Sequence, residues 1–352
     1  VRPGPPRSGA GSLRHWLLRA ASVLVFVAVV DYLVLPQLAG TAKAFRLLDH
    51  VEPAWALLAI VLEGLSDVSY SLLTRSVLPR TGPSFSWLLR TDITSLGVSH
   101  VLPGGAASST ALRYRLLREG GADADDVAVG MTVQGVGSTL VLVMLVWVAL
   151  VVSIPLAGLH PLYLSIAIAG AIALAVAVAV ALRRPAGTAR AENAPHWLTA
   201  HLPRRVRPRA ERLLDESLVR LRQLLADRTG LRTSAGWAAG NWALDAASLG
   251  VFLLAFGHPL DPAELFLAYG LANLVAIVPI SPGGLGVIEG VLIPSLVGFG
   301  IPPAVAILGV VTWRLFDFWA PIPAAGLCYA SLRLQRWRRP RPGAGPATSA
   351  GA

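Results

Sequence analysis

The sequence predicts an all-α fold: a polytopic membrane protein with six transmembrane helices plus two re-entrant hairpins, arranged as an inverted repeat. Three observations lead there: the composition, the length of the uncharged apolar runs, and two apolar stretches that break at Pro-Gly-Gly. Of 352 residues, 54% are hydrophobic and only 14% are charged. A soluble chain of this size needs far more polar surface to cover its core, so the solvent implied is lipid.

A hydrocarbon core of about 30 Å takes about 20 helical residues to cross. Residues 1–14 are basic and rich in Pro and Gly, which predicts a disordered tail. From 15 to 333 the chain reads as one membrane domain. The first span is Trp16–Leu35, read as a retained helix because no small-residue cleavage site follows it. Next come Ala54–Leu73, a broken segment over 86–118, and the spans Val127–Val152 and Leu162–Leu182, which hold no charged residue. A linker over 183–232 leads to Thr233–Phe256, a second broken segment over 263–300, and Ala304–Leu332. Runs this long exclude barrel strands. Residues 334–352 form a second basic tail.

Basic residues set the expected orientation, because cytoplasmic loops are enriched in Lys and Arg. The linker holds twelve arginines, the first tail carries Arg2, Arg7 and Arg14, and Arg75, Arg80 and Arg90 follow the second span. The connections near 154–161, 257–263 and 300–303 hold no Lys or Arg. Both termini and the linker are therefore expected on the cytoplasmic side of the inner (plasma) membrane. This placement explains a pI near 10.8 without a nucleic-acid partner. Within the linker, Val206, Ala210, Leu213, Leu214, Ser217, Leu221, Leu224 and Leu225 follow helical spacing. The helix they predict lies on the inner leaflet or is simply solvated.

The broken segments read TSLGVSHVLPGGAASSTALRYRLL (94–117) and NLVAIVPISPGGLGVIEGVLIPSLVGFG (273–300). Pro lacks a donor and Gly favours non-helical angles, so each helix must break at 103–105 or 282–284. Each arm is too short to cross alone, which predicts two hairpins entering from opposite faces with their tips near the midplane. Paired Gly/Pro interruptions in two halves point to a transporter's binding site. Helices starting just after Gly105 and Gly284 would aim free N–H groups at an anion. Gly104, Gly105, Gly283 and Gly284 are thus candidate ligands of a head group, with Arg113 nearby.

Charged residues at membrane depth are functional candidates. Glu63 and Asp67, and Asn241 and Asp245, each lie four apart on one helical face. Arg314 and Asp317 lie three apart in WRLFDFWAP. Arg314 is read either as a phosphate ligand through its planar fork or as a structural partner of Asp317 or Glu289. For Glu63, Asp67, Asp245 and Asp317 the readings are coupling to a proton or cation, or hydrogen bonding between helices. The Asp run in GADADDV (121–127) is read as a helix cap rather than a metal motif. Cys328, the single cysteine, allows neither an internal disulfide nor a Cys-based zinc site, and no HExxH is present. No metal and no cofactor is expected.

VLPGGAASSTALRYRLL and VPISPGGLGVIEG, the latter followed by GFGIPPAVAILGVVTWRLFDFW, resemble the lysylphosphatidylglycerol synthase transmembrane-region family, a flippase-like family, over roughly 15–335. The resemblance implies an inner-membrane protein with two re-entrant hairpins. In its best understood relatives a cytosolic domain aminoacylates phosphatidylglycerol and the membrane part translocates the product. Two features depart from that pattern. The sequence holds no stretch for the soluble synthase, and Ala106, Ala107, Ser108 and Ser109 stand where many relatives continue with Gly and an acidic residue.

The expectation is therefore a lipid flippase or transporter, not an enzyme. It would bind an anionic lipid head group through Gly104, Gly105, Arg113, Gly283, Gly284, Glu289 and Arg314. Its rivals are an intramembrane lipid-phosphate enzyme of the polyprenyl-phosphate phosphatase type, with Ser108 or Ser109 as nucleophile, and a non-transporting assembly subunit.

Overall fold

The computed structural model describes residues 53–79, 81–102, 105–157, 206–277 and 281–338. The expected spans Trp16–Leu35 and Leu162–Leu182, the first tail and residues 339–352 of the second lie outside them, as does Gly104, while residues 334–338 continue the last helix instead of opening a tail. Among the described residues there are ten α-helices and no strand. They are α1 Pro53–Val77, α2 Phe85–Val101, α3 Gly105–Glu119, α4 Ala124–Ala157 and α5 Arg207–Ala226, then α6 Arg228–Ala255, α7 Pro262–Ala276, α8 Val287–Gly298, α9 Pro303–Arg314 and α10 Pro321–Arg338.

Four stretches are long and apolar enough to cross a membrane: Pro53–Val77, Ala124–Ser153, Arg228–Ala255 and Pro303–Trp337. They correspond to the four expected spans that fall within the described residues. The last runs through α9 and α10 with a π turn at Leu315–Trp319, where the Ala320 N–H donates to Leu315 O at 3.0 Å. Pro321 and Pro323 follow directly and lack N–H groups, so the local ladder widens by one residue. The turn carries Asp317.

The broken segments fold as two pairs of short helices, α2 with α3 and α7 with α8. α2 stops where Pro103 forces the preceding residue out of the helical region, and Leu102 is extended (φ −92°, ψ 134°). Pro262 and Asp261 start α7, with Asp261 Oδ1 accepting from the Ala263 N–H at 2.8 Å. The expected restart just after Gly284 falls later. Pro282–Gly284 forms a single 3-10 turn and α8 begins at Val287.

Helix packing follows an exchange pattern. α1 packs on α6, α2 on α10, and α7 on α4. If α1 is exchanged with α6, the α2–α3 pair with α7–α8, and α4 with α9–α10, these contacts map onto one another. The central α1–α6 contact is made by small and polar residues. Ala59 and Ala246 are buried there, Ser66 Oγ donates to Asn241 O at 2.9 Å, and Ser76 and Ser234 lie 2.9 Å apart through their Oγ atoms. Small side chains let backbones approach closely in an apolar solvent. The largest core cluster joins Leu249 and Phe252 of α6, Tyr269 of α7, Leu292 and Leu296 of α8 and Trp313 of α9.

The amphipathic linker helix packs on the bundle rather than standing free. α5 contacts α4 and α6, and its Leu221 joins a cluster with Leu73, Val77, Val133 and Ala238. Leu221 and the buried Ser217 on its apolar face thus meet protein, a partner that helical periodicity alone does not name, while Val206 at its start is exposed.

Candidate functional site

Near the middle of α1, α6 and the Pro303–Trp337 span lies a polar cavity of about 350 Å³. Its walls carry Glu63 and Asp67 from α1, Asp92 from α2, Arg113 from α3, Asp245 from α6 and Asp317 from the π turn. Five carboxylates thus face one guanidinium. Apolar spans place this polar space where unpaired charge is costly, so each ionisable group there needs a partner or a task.

Arg113 has its partners. Its Nε donates to Asp92 Oδ1 at 2.8 Å and Nη1 to the Tyr70 hydroxyl at 3.2 Å. Nη2 donates to Thr74 Oγ1 at 2.7 Å and to Gln134 Oε1 at 2.8 Å. Thr74 Oγ1 in turn donates to Asp92 Oδ2 at 2.9 Å. The Arg113–Asp92 pair is 8% and 4% exposed. Helices α1, α2, α3 and α4 therefore meet on one guanidinium, which fixes both arms of the first helix pair.

Arg314 has a similar position in the other half. Its Nε donates to Glu289 Oε1 at 2.6 Å, Nη1 to Asp317 Oδ2 at 2.7 Å and Nη2 to Gly283 O at 3.3 Å. Both structural partners considered from the sequence are present at once. Glu289 also uses Oε2 to accept from the Gly286 N–H at 2.6 Å, so the start of α8 is already met by a carboxylate. Glu289 and Arg314 are buried and do not line the cavity.

The glycines also stand behind the cavity wall. Gly283 has φ +55°, and a Cβ there would meet Phe318 Cε2 at 2.5 Å and His100 Cδ2 at 2.7 Å. His100 and Phe318 stack at 4.3 Å between ring centroids, and His100 Nδ1 lies 2.9 Å from Phe318 O. A Cβ on Gly105 would overlap Ser99 O, where the two arms approach. Gly284 faces Ile288 and Ala276. The space these glycines leave is filled by neighbouring protein.

The carboxylates expected to couple do line the cavity. Asp245 accepts from the Tyr269 hydroxyl at 2.6 Å and from Trp313 Nε1 at 3.0 Å. One oxygen of Glu63 is buried and accepts no hydrogen bond among the described residues. Oxygens of Glu63, Asp245 and Asp317 lie within 4.8 Å of one another, the one group among the described residues with metal-ligand spacing. Were all three ionised, each pair at that separation would repel by roughly 3.5 kcal/mol at an effective dielectric of about 20. Arg314 offsets only Asp317.

Sequence reasoning missed Asp92, Tyr70, Thr74 and Gln134. Asp92 had a usable signal: a carboxylate inside an apolar broken segment that also contains Arg113 needs a cationic partner. Thr74, Tyr70 and Gln134 carry no such mark.

Fold and cavity together define the class: a polytopic α-helical membrane protein whose polar interior is framed by two pairs of broken helices. The chain belongs to the family described as the lysylphosphatidylglycerol synthase TM region, whose profile matches residues 16–325. It is similar to a UPF0104 membrane protein of Methanothermobacter thermautotrophicus, 22% identical over 310 residues that cover 85% of this chain and 91% of that protein. A second match to a UPF0104 membrane protein of that organism is 34% identical over 82 residues, 23% of each chain.

Proposed function

We propose that the protein moves a membrane phospholipid between leaflets, with the head group passing through the cavity beside Glu63, Asp67 and Asp245. The observation that carries this reading is the cavity's acidic lining: among the described residues, five carboxyl groups against one guanidinium that makes four hydrogen bonds to protein. An anionic lipid phosphate alone finds no free arginine there among the described residues. A phospholipid whose head group also presents an amine meets the buried Glu63 oxygen and the adjacent carboxylates, which supply charge-assisted acceptors. Arg113 and Arg314 act as positioning residues, holding the broken-helix pairs rather than touching the head group. The exchange pattern of contacts supports an inverted repeat of the two halves, the architecture in which such sites sit near the midplane; six spans and two re-entrant hairpins remain part of this reading.

A second reading is favoured by the spacing of Glu63, Asp245 and Asp317: a small cation bound among them would drive or gate the movement. For the hydrolase alternative, Ser109 Oγ donates to Ala106 O at 3.1 Å and no base accepts from it among the described residues.

The test is lipid movement in proteoliposomes, using fluorescent phospholipids that differ only in head group. Amine-bearing lipid should move faster than lipid with a neutral sugar or glycerol head. Glu63→Gln combined with Asp67→Asn should slow it at least tenfold while the melting curve is retained. Equal rates for all head groups, or unchanged rates in the variant, would overturn the reading. The cation reading separates from it by dependence on sodium or a proton gradient with the head group held constant.

A further inference from the structure

A second, larger cavity of about 690 Å³ opens at the end of α1, away from the carboxylate cavity. It is bounded by the connection between α1 and α2, by α5, and by the start of α6. Two arginines line it, Arg75 from the last turn of α1 and Arg220 from α5. Neither makes a hydrogen bond or ion pair among the described residues, unlike Arg212 on the same helix, whose Nε donates to Glu216 at 2.7 Å.

Among the described residues one acid lines this cavity, Asp227, and one of its oxygens is already engaged. Its Oδ1 accepts from the Thr229 N–H at 3.0 Å, capping α6. That cap also means the α6 terminus is not the source of positive charge; the guanidinium groups are. Two guanidinium forks that line one cavity without protein acceptors among the described residues offer the kind of donors a phosphate ester's oxygens accept from. Leu78, Pro79, Pro83 and Leu88 add an apolar strip to a wall that also carries Ser76, Gln223 and Thr233. Polar and apolar surfaces side by side suit a small amphiphile better than a bare ion.

We infer that Arg75 and Arg220 form a binding site for a phosphate ester at the arginine-rich end of the bundle, separate from the carboxylate cavity and independent of the transport reading. The ester is supplied either by a phospholipid of the adjoining leaflet or by a soluble phosphate compound. Because α5 forms one wall and also packs on α4 and α6, occupancy would tie the linker helix to the spanning bundle.

The experiment uses the full chain with two probes. One is phosphatidylglycerol in nanodiscs of otherwise neutral lipid, with retained lipid counted by native mass spectrometry. The other is glycerol 3-phosphate, titrated by calorimetry into protein in neutral detergent. Arg75→Gln and Arg220→Gln should each weaken binding about tenfold, as expected for losing one charge-assisted contact. Arg212→Gln, a paired arginine outside this cavity, should leave binding unchanged. Arg75→Lys with Arg220→Lys keeps the charge, so a partial loss with an unchanged melting curve identifies the forks rather than folding. Variant-dependent binding of phosphatidylglycerol alone makes the ligand a lipid. The same dependence with glycerol 3-phosphate makes it soluble. Wild-type binding of both probes in the Arg75→Gln, Arg220→Gln double variant, or loss equal to that of Arg212→Gln, overturns the site.

Discussion

Arg113 is where one side chain decides the most structure. Its hydrogen bonds join four helices, and removing the guanidinium leaves Asp92 buried without a cation. Breaking a buried pair on one side typically costs about 3–5 kcal/mol. Arg113→Ala should therefore unfold at markedly lower temperature in detergent, and Arg113→Lys should recover only part of the loss because an ammonium cannot copy the fork. An unchanged melting curve for Arg113→Ala would show that Asp92 is satisfied some other way. Gly283 makes a different point at the same scale. Its φ of +55° and the rings of His100 and Phe318 exclude a side chain. Gly283→Val should lower thermal stability and folded yield, whereas Gly64→Ala, where nothing lies within 4 Å, should not. If Gly283→Val folds normally and loses only lipid movement, the glycine serves the substrate and the packing account is wrong.

At the scale of elements, the α1–α6 pair is the axis on which both halves are hung. Its contacts are short and polar, with Ser76 and Ser234 Oγ atoms 2.9 Å apart. With Cys328→Ala as background, Ser76→Cys and Ser234→Cys should cross-link on mild oxidation, read as a mobility shift reversed by reductant. Failure to cross-link in folded protein would place α1 and α6 in another register. The broken-helix pairs were legible as breaks, since Pro103 and Gly283 act locally on the backbone. What each pair packs against was not legible. Arg90 ties α2 to α10 through Ser331 and Gln335, partners 241 and 245 residues away, and no periodicity in either helix announces that contact.

For the whole molecule, the distribution of arginine predicts on which side each connection lies. The α1–α2 connection and α5 belong with the basic side, and the α6–α7 connection with the other. In intact cells, with Cys328 replaced, a membrane-impermeant thiol reagent should label Pro259→Cys and leave Thr81→Cys untouched until the membrane is opened. Labelling of both from outside would remove the inverted-repeat architecture and with it the meeting of two hairpins at mid-depth, and the reverse pattern would overturn the orientation read from the arginines.

The sequence by itself determined the membrane class, the four described spans and the places where two helices break. Those properties depend on run length, charge and Pro or Gly, which act within a few residues. It also named Glu63, Asp67, Asp245 and Asp317, because charge in an apolar run stands out at once. Only the tertiary structure decided that these carboxylates share one cavity. It also decided that Arg113 and Arg314 are committed to protein partners, and that the glycines make room for His100, Phe318 and Ser99. The reason is physical: whether an arginine is free depends on which acceptors converge on it, and Asp92, Thr74, Tyr70 and Gln134 reach Arg113 from three other helices.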